Sequence, residues 1–320
     1  MRSPVLSVVL ALLAIPALAP RANAQETGSP HWARLLDKAA KNDPVAMFHV
    51  ARAYETGSEV RQDYAAAARW YRRAADLGES GSQCNLGRLY ATGLGVPQND
   101  DEAVRWYLRS AAQKYPPGMT NLGYMYATGR GISRDYKAAV HWYQEAAQKG
   151  LAAAQSNLGY MYANGLGVEP DDRQAAKWYQ KAARQGFAPA MDNLGTLYLE
   201  GRGRNAGQAV QMFRRAAAAG SASAANNLGW CYEHGRGVNQ DFAEAATWYR
   251  VAAGRGLPEA EYALAMLYVL GHGVERDPAQ AESLFAHAAE QGFEPAKAHL
   301  RATGKPPTEA SISGFSRSQE

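Results

Sequence analysis

Apolar residues in this chain return at steps of three and four. In one stretch Ala154, Leu158, Met161 and Tyr162 fall on a single stripe, the spacing of an amphipathic helix. Gly165 ends the stripe, because glycine takes a helix-terminating conformation without strain. A short Gly-x-Gly-Val loop follows, and Asp171 opens a second apolar stripe. There Ala175, Ala182 and Ala183 surround Trp178. Small residues let helices approach closely, and the large ring fills the remaining gap. The pattern predicts a pair of helices joined by a tight loop.

The same pair recurs along the chain. Its bulky residue falls at Trp70, Trp106, Trp142, Trp178, Met212, Trp248 and Leu284, at intervals of 36, 36, 36, 34, 36 and 36 residues. A ring follows each time, at Tyr71, Tyr107, Tyr143, Tyr179, Phe213, Tyr249 and Phe285. A second aromatic row stands in the first helix, at Tyr54, Tyr90, Tyr126, Tyr162, Tyr198, Tyr232 and Tyr268. The residue before the second helix is Asp63, Asn99, Asp135, Asp171, Asn205, Asp241 or Asp277. Each can accept a hydrogen bond from a free N–H of the first turn, so these side chains are expected to be caps rather than catalytic groups. No single pair buries both of its stripes; stacked pairs share one continuous core.

The repeated pattern L-G-x-x-Y-x-x-G-x-G-V, then D-x-x-x-A-x-x-W-Y-x-x-A-A-x-x-G, resembles the Sel1-like repeat family, which is related to the tetratricopeptide repeats. The resemblance covers residues 43 to about 300. It implies an all-α fold, a right-handed α/α solenoid of about seven helix-turn-helix repeats with a concave face. Some units depart from the pattern. Ala51 replaces the glycine of Leu-Gly in the first, and the fifth is two residues short with Met212 for Trp. Lys114-Tyr115-Pro116-Pro117 stands where other junctions have glycine.

The ends read differently. Arg2, the apolar run Val5 to Ala19 and Ala22-Asn23-Ala24 fit a secretory signal peptide over residues 1–24. Residues 25–42 are expected to hold a capping helix, 43–292 the seven repeats, 293–303 a C-terminal capping helix, and 304–320 a disordered tail. An exported, periplasmic or secreted protein is the expectation. No apolar run is long enough to predict a membrane span. Without Arg2 and Arg21 the 34 basic residues fall to 32 against 30 acidic, a net charge of +2. That balance gives no reason to expect nucleic acid as a partner. Cys84 and Cys231 stand four units apart, too far for a disulfide, and are expected to be unpaired.

One polar row asks for a role. Asn85, Asn121, Asn157, Asn193 and Asn227 precede the core leucine in five successive units. Three residues on stand Arg88, Tyr124, Tyr160, Thr196 and Trp230. In the similar tetratricopeptide repeats these two positions face the concave groove. By position, the Asn row could bond an extended peptide backbone, with Arg88, Tyr124, Tyr160 and Trp230 as further contacts. The other reading is that each amide bonds a neighbouring helix and only shapes the solenoid, since asparagine inside a helix needs a compensating hydrogen bond.

Catalytic signatures are missing from the sequence: there is no G-x-S-x-G, S-x-x-K or H-E-x-x-H. No cofactor or metal is expected. A loose polar group, Asp192, Glu200, Glu233 and His234, is read as solvated helix-end charge. The resemblance implies an adaptor or regulator that holds a protein or peptide, here in a cell envelope. The alternatives are an envelope hydrolase or β-lactam-binding protein of the secreted Sel1-like type, which would carry cysteine pairs that this chain lacks, or a binder of peptidoglycan or another glycan.

Overall fold

The computed structural model describes residues 29–201 and 205–303. The segments expected to be a signal peptide and a tail lie outside the described residues. Among the described residues the fold is all α, with sixteen helices. They fall into two compact units that divide between Ala182 and Ala183, inside one helix.

The first unit holds α1 (Pro30–Ala40), α2 (Pro44–Thr56), α3 (Tyr64–Asp76), α4 (Ser80–Thr92), α5 (Asp100–Ala112), α6 (Pro116–Thr128), α7 (Tyr136–Gln148), α8 (Ala152–Asn164) and most of α9 (Asp172–Arg184). The second holds α10 (Ala188–Glu200), α11 (Ala206–Ala218), α12 (Ala222–His234), α13 (Phe242–Ala253), α14 (Pro258–Leu270), α15 (Pro278–Glu290) and α16 (Glu294–Thr303). Each unit is a solenoid of paired helices in which every helix packs on its sequence neighbours. The helix α1 precedes the first repeated pair and α16 follows the last.

Close approach within a pair depends on the glycine of Leu-Gly. A Cβ on Gly123 would stand 2.8 Å from the Tyr143 ring, and one on Gly195 would stand 2.6 Å from Phe213. The ring that follows the tryptophan position therefore lies flat on the backbone of its partner helix. These rings, with the alanines beside them, are the buried core: Tyr71, Tyr107, Tyr143, Phe213, Tyr249 and Phe285. Burying a side chain of this size contributes about 1.5–3 kcal/mol.

The loop glycine fixes one pair to the next. Gly167 has φ +72°, and a Cβ there would meet the Tyr136 carbonyl carbon and oxygen at 2.4 Å. The loop after α8 thus presses on the first residue of α7. Gly150, at a junction, has φ +91° but open space around it.

Capping follows the expectation except at one place. Side chains of Asp63, Asn99, Asp135, Asp171, Asp241 and Asp277 accept from first-turn N–H groups. Asn205 does not; its φ of −123° and ψ of 19° turn it away from the extended geometry of the other caps. The Lys114-Tyr115-Pro116-Pro117 junction keeps register: α6 has 13 residues like α4 and α8. The prolines occupy the first helical positions, where a missing N–H leaves no bond unmade. Lys114 itself takes φ 58°, a strained value at a glycine position.

Two glycines separate the two constraints. Gly150→Ala should lower stability by about 1–2 kcal/mol, the cost of a left-handed alanine alone. Gly167→Ala should cost more, because the methyl also meets backbone that cannot rotate away. Urea unfolding of the pair checks this; equal losses would mean that the loop contact is not a constraint.

Candidate functional site

Three of the five asparagines donate to another side chain among the described residues. In the first unit Asn85 donates from Nδ2 to the Tyr71 hydroxyl at 3.0 Å. Tyr71 in turn donates to Glu55 Oε2 at 2.6 Å, and Glu55 is ion-paired with Arg88. This network of four side chains is nearly closed to solvent: the Arg88 and Glu55 side chains are 11% and 9% exposed. Burial, with Glu55 adding to it, pushes the Tyr71 hydroxyl far above its usual range. Asn121 donates to the Cys84 sulfur at 3.5 Å. Asn157 lies near the Tyr143 hydroxyl, but neither its Nδ2 nor that hydroxyl has a hydrogen-bond partner among the described residues. Each of these amides sits where its helix crosses a helix of the preceding pair.

In the second unit the relation shifts. Phe213 stands where a tyrosine would meet Asn227, and it has no hydroxyl. Asn227 donates instead to Asp192 Oδ1 at 2.9 Å. Asn193 is also buried. Asp192 has only neutral partners, Asn227, Ser221 and Ser223, and burial raises its carboxyl above the usual range.

Of the two readings of the Asn row, burial bears on both: four of the five amides are covered in this structure. Asn121, Asn157, Asn193 and Asn227 are all buried, and Asn85 is half-buried with its amide bonded. Arg88 is withdrawn into its ion pair, and Thr196 is buried. The physical reason is that an amide at this position meets the adjoining helices before it meets solvent. Tyr124, Tyr160 and Trp230 differ: each is half-buried and keeps part of its ring exposed. Trp230 stacks on the His234 imidazole, with ring centres 4.5 Å apart and planes 20° from parallel. The His234 Nδ1 lies 3.0 Å from the Trp230 carbonyl oxygen.

The polar group noted in the sequence does not converge on one point. Glu233 accepts from the Tyr249 hydroxyl at 2.5 Å, His234 packs on Trp230, and Asp192 holds Asn227. Among the described residues no three or more His, Cys, Asp or Glu side chains stand together as metal ligands do. Cys84 and Cys231 are both buried and unpaired, and burial pushes each thiol up to about 12. No described helix is long and apolar enough to cross a membrane.

Buried rings on glycine, capped second helices and an interior polar row define a helical repeat protein. The Sel1 repeat model matches seven successive segments, residues 44–79, 80–115, 116–151, 152–187, 188–221, 222–257 and 258–293, and the chain belongs to this family. It is 32% identical to c5321, a protective antigen of uropathogenic Escherichia coli with an SLR fold, at a TM-score of 0.68. That match covers 87% of this chain but only 62% of the antigen. A Sel1 repeat protein from Oxalobacter formigenes is 30% identical, with TM-score 0.65, over 84% of this chain and 78% of the other. Yeast Tom70, 13% identical over 84% of this chain and 58% of its own, shares the fold alone at TM-score 0.52. None of the curated proteins compared with the chain matches it.

The tyrosine hydroxyls differ in a testable way. The Tyr71 hydroxyl has two partners, whereas that of Tyr107 is buried with no hydrogen-bond partner among the described residues. Phe213 and Phe285 show that a bare ring fits this position. Tyr107→Phe should therefore be neutral or stabilising, while Tyr71→Phe should cost about 1–3 kcal/mol by stripping a partner from Glu55 and Asn85. Denaturant unfolding of both variants decides it; a loss at Tyr107 equal to that at Tyr71 would refute the distinction.

Asp192 should also give stability a pH dependence. Its folded-state carboxyl is raised, so the stability it contributes is complete below the unfolded value of about 3.9 and is lost as pH rises through the folded value. Asp192→Asn should remove this slope and be the more stable protein at neutral pH. Thermal unfolding of both proteins across pH 3 to 8 measures it, and parallel curves would show that Asp192 is not the source.

Proposed function

We propose that this chain is a protein- or peptide-binding adaptor of the cell envelope, with contact faces in each unit by itself: that of Tyr124 and Tyr160 in the first, and that of Trp230 in the second. The observation that carries this reading is the contrast within one row. The amides one step away are closed by neighbouring helices, while these three rings remain partly open. Large rigid rings supply contact area at low cost in conformational entropy, which suits them to anchor a partner. Membership of the Sel1 family supports the interaction class. The amino-terminal pattern of a signal peptide supports export. The description of the E. coli relative as a protective antigen is compatible with an envelope setting.

Capture from envelope extract tests the proposal. The protein would be compared with a variant carrying Tyr124→Ala, Tyr160→Ala and Trp230→Ala, once circular dichroism shows both to be equally helical. A partner retained by the parent and lost by the variant is the expected result. A partner retained equally by both would move the interface elsewhere, and retention of no protein by either would defeat the adaptor reading.

A further inference from the structure

The junctions between successive pairs share one plan and differ in chemistry. At Gly95, Gly131, Gly167, Gly237 and Gly273 the second loop glycine presses on the first residue of the preceding pair's second helix, and the residue before that glycine varies. Between α5 and the loop after α6 these residues are Asp100 and Arg130. The Arg130 guanidinium bonds both Asp100 oxygens, at 2.6 and 3.0 Å, and the Ala91 carbonyl at 2.8 Å. Between α13 and the loop after α14 they are Phe242 and His272, whose rings lie 4.7 Å apart.

Between α7 and the loop after α8 the corresponding residues are Tyr136 and Leu166, which supply neither an ion pair nor a ring contact. An open cavity of about 660 Å³ lies at this junction. Tyr126, Arg134, Asp135, Tyr136, Lys137 and Gly167 line it, and Asp135 is engaged there as the cap of α7, accepting from the Ala138 N–H. Arg134 lies over the Tyr136 ring, 5.5 Å from its centre. Neither Arg134 nor Lys137 has an ion-pair partner among the described residues.

The floor carries a free donor as well. The hydroxyls of Tyr90, Tyr232 and Tyr268 each accept from an arginine of the preceding helix, Arg72, Arg214 and Arg250. For Tyr126 that arginine is replaced by Leu108, and Tyr126 makes no side-chain hydrogen bond among the described residues.

We propose that this cavity is a second binding site, which takes a carboxylate side chain of an acidic peptide between Arg134, Lys137 and the Tyr126 hydroxyl. The chain itself shows the chemistry: one junction earlier a carboxylate lies against a guanidinium, and here the one acid, Asp135, caps a helix and is ion-paired with neither cation. Charge-assisted hydrogen bonds of this kind are among the stronger ones available at a surface. The cavity volume lies within the usual range for small ligand sites. The site is independent of the Tyr124 row, because Tyr126 is two residues on and so about 200° around the helix.

The test uses the whole protein and three probes: acetyl-Glu-Asp-Glu-amide, its neutral counterpart acetyl-Gln-Asn-Gln-amide, and inorganic phosphate. Binding is read by calorimetry and by chemical-shift changes at the Tyr126 and Tyr136 rings. The acidic peptide is expected to bind and to shift both rings, and the neutral peptide to bind at least about tenfold more weakly. Arg134→Ala with Lys137→Ala should weaken the acidic peptide by a similar factor and leave the melting temperature unchanged, since both side chains are exposed. Equal binding of the two peptides, failure of the acidic peptide to bind, or its undiminished binding to the double variant would overturn the proposal. Phosphate binding as tightly as the acidic peptide would overturn it too, by reducing the site to a general anion patch.

Discussion

The close contact between an aromatic ring and a backbone without a Cβ underlies the rest of this structure. A ring laid on Gly123 or Gly159 brings the two helices of a pair nearer than any larger residue would allow. That closeness is what buries the tyrosine hydroxyls, and buried hydroxyls create a demand for hydrogen bonds inside the solenoid. Asn85 and Glu55 meet the demand at Tyr71, Glu233 meets it at Tyr249, and Phe213 removes it. At Tyr107 and Tyr143 the demand goes unmet, so the polar row answers the rings only in part. The end units relax the rule: Ala51 and Ala265 take the glycine position. Beside them Phe48 accompanies Tyr71, and His299 stacks on Phe285.

Much of the fold was legible in the sequence because its signals are local. Period, caps and glycines all lie within one 36-residue unit, so spacing alone locates the helices. Asn205 is the exception among the caps, and it stands in the unit that departs most from the period.

The candidate site was legible only in part, because its meaning lies between units. An asparagine on a helix surface looks available until the tyrosine fourteen residues earlier, on the preceding helix, is taken into account. The pairing of Asn85 with Tyr71 was present in the sequence as that spacing, and the change at Phe213 was a further clue. The ion pair of Arg88 with Glu55, 33 residues apart, had a fainter signal: of the seven repeats, only the first and sixth place a glutamate directly after the helix tyrosine. The open cavity at Tyr136 had none in any one unit, since its walls come from two helices and a loop of successive pairs.

The two thiols carry a different consequence. With values pushed up to about 12, Cys84 and Cys231 hold only on the order of one part in 10⁵ as thiolate at neutral pH. The thiolate is the form that attacks disulfides and alkylating reagents, and both sulfurs are also buried. The folded chain therefore behaves chemically as one without cysteine. A thiol introduced at its surface would be the single reactive handle for a fluorophore or cross-linker, with no native residue to remove first.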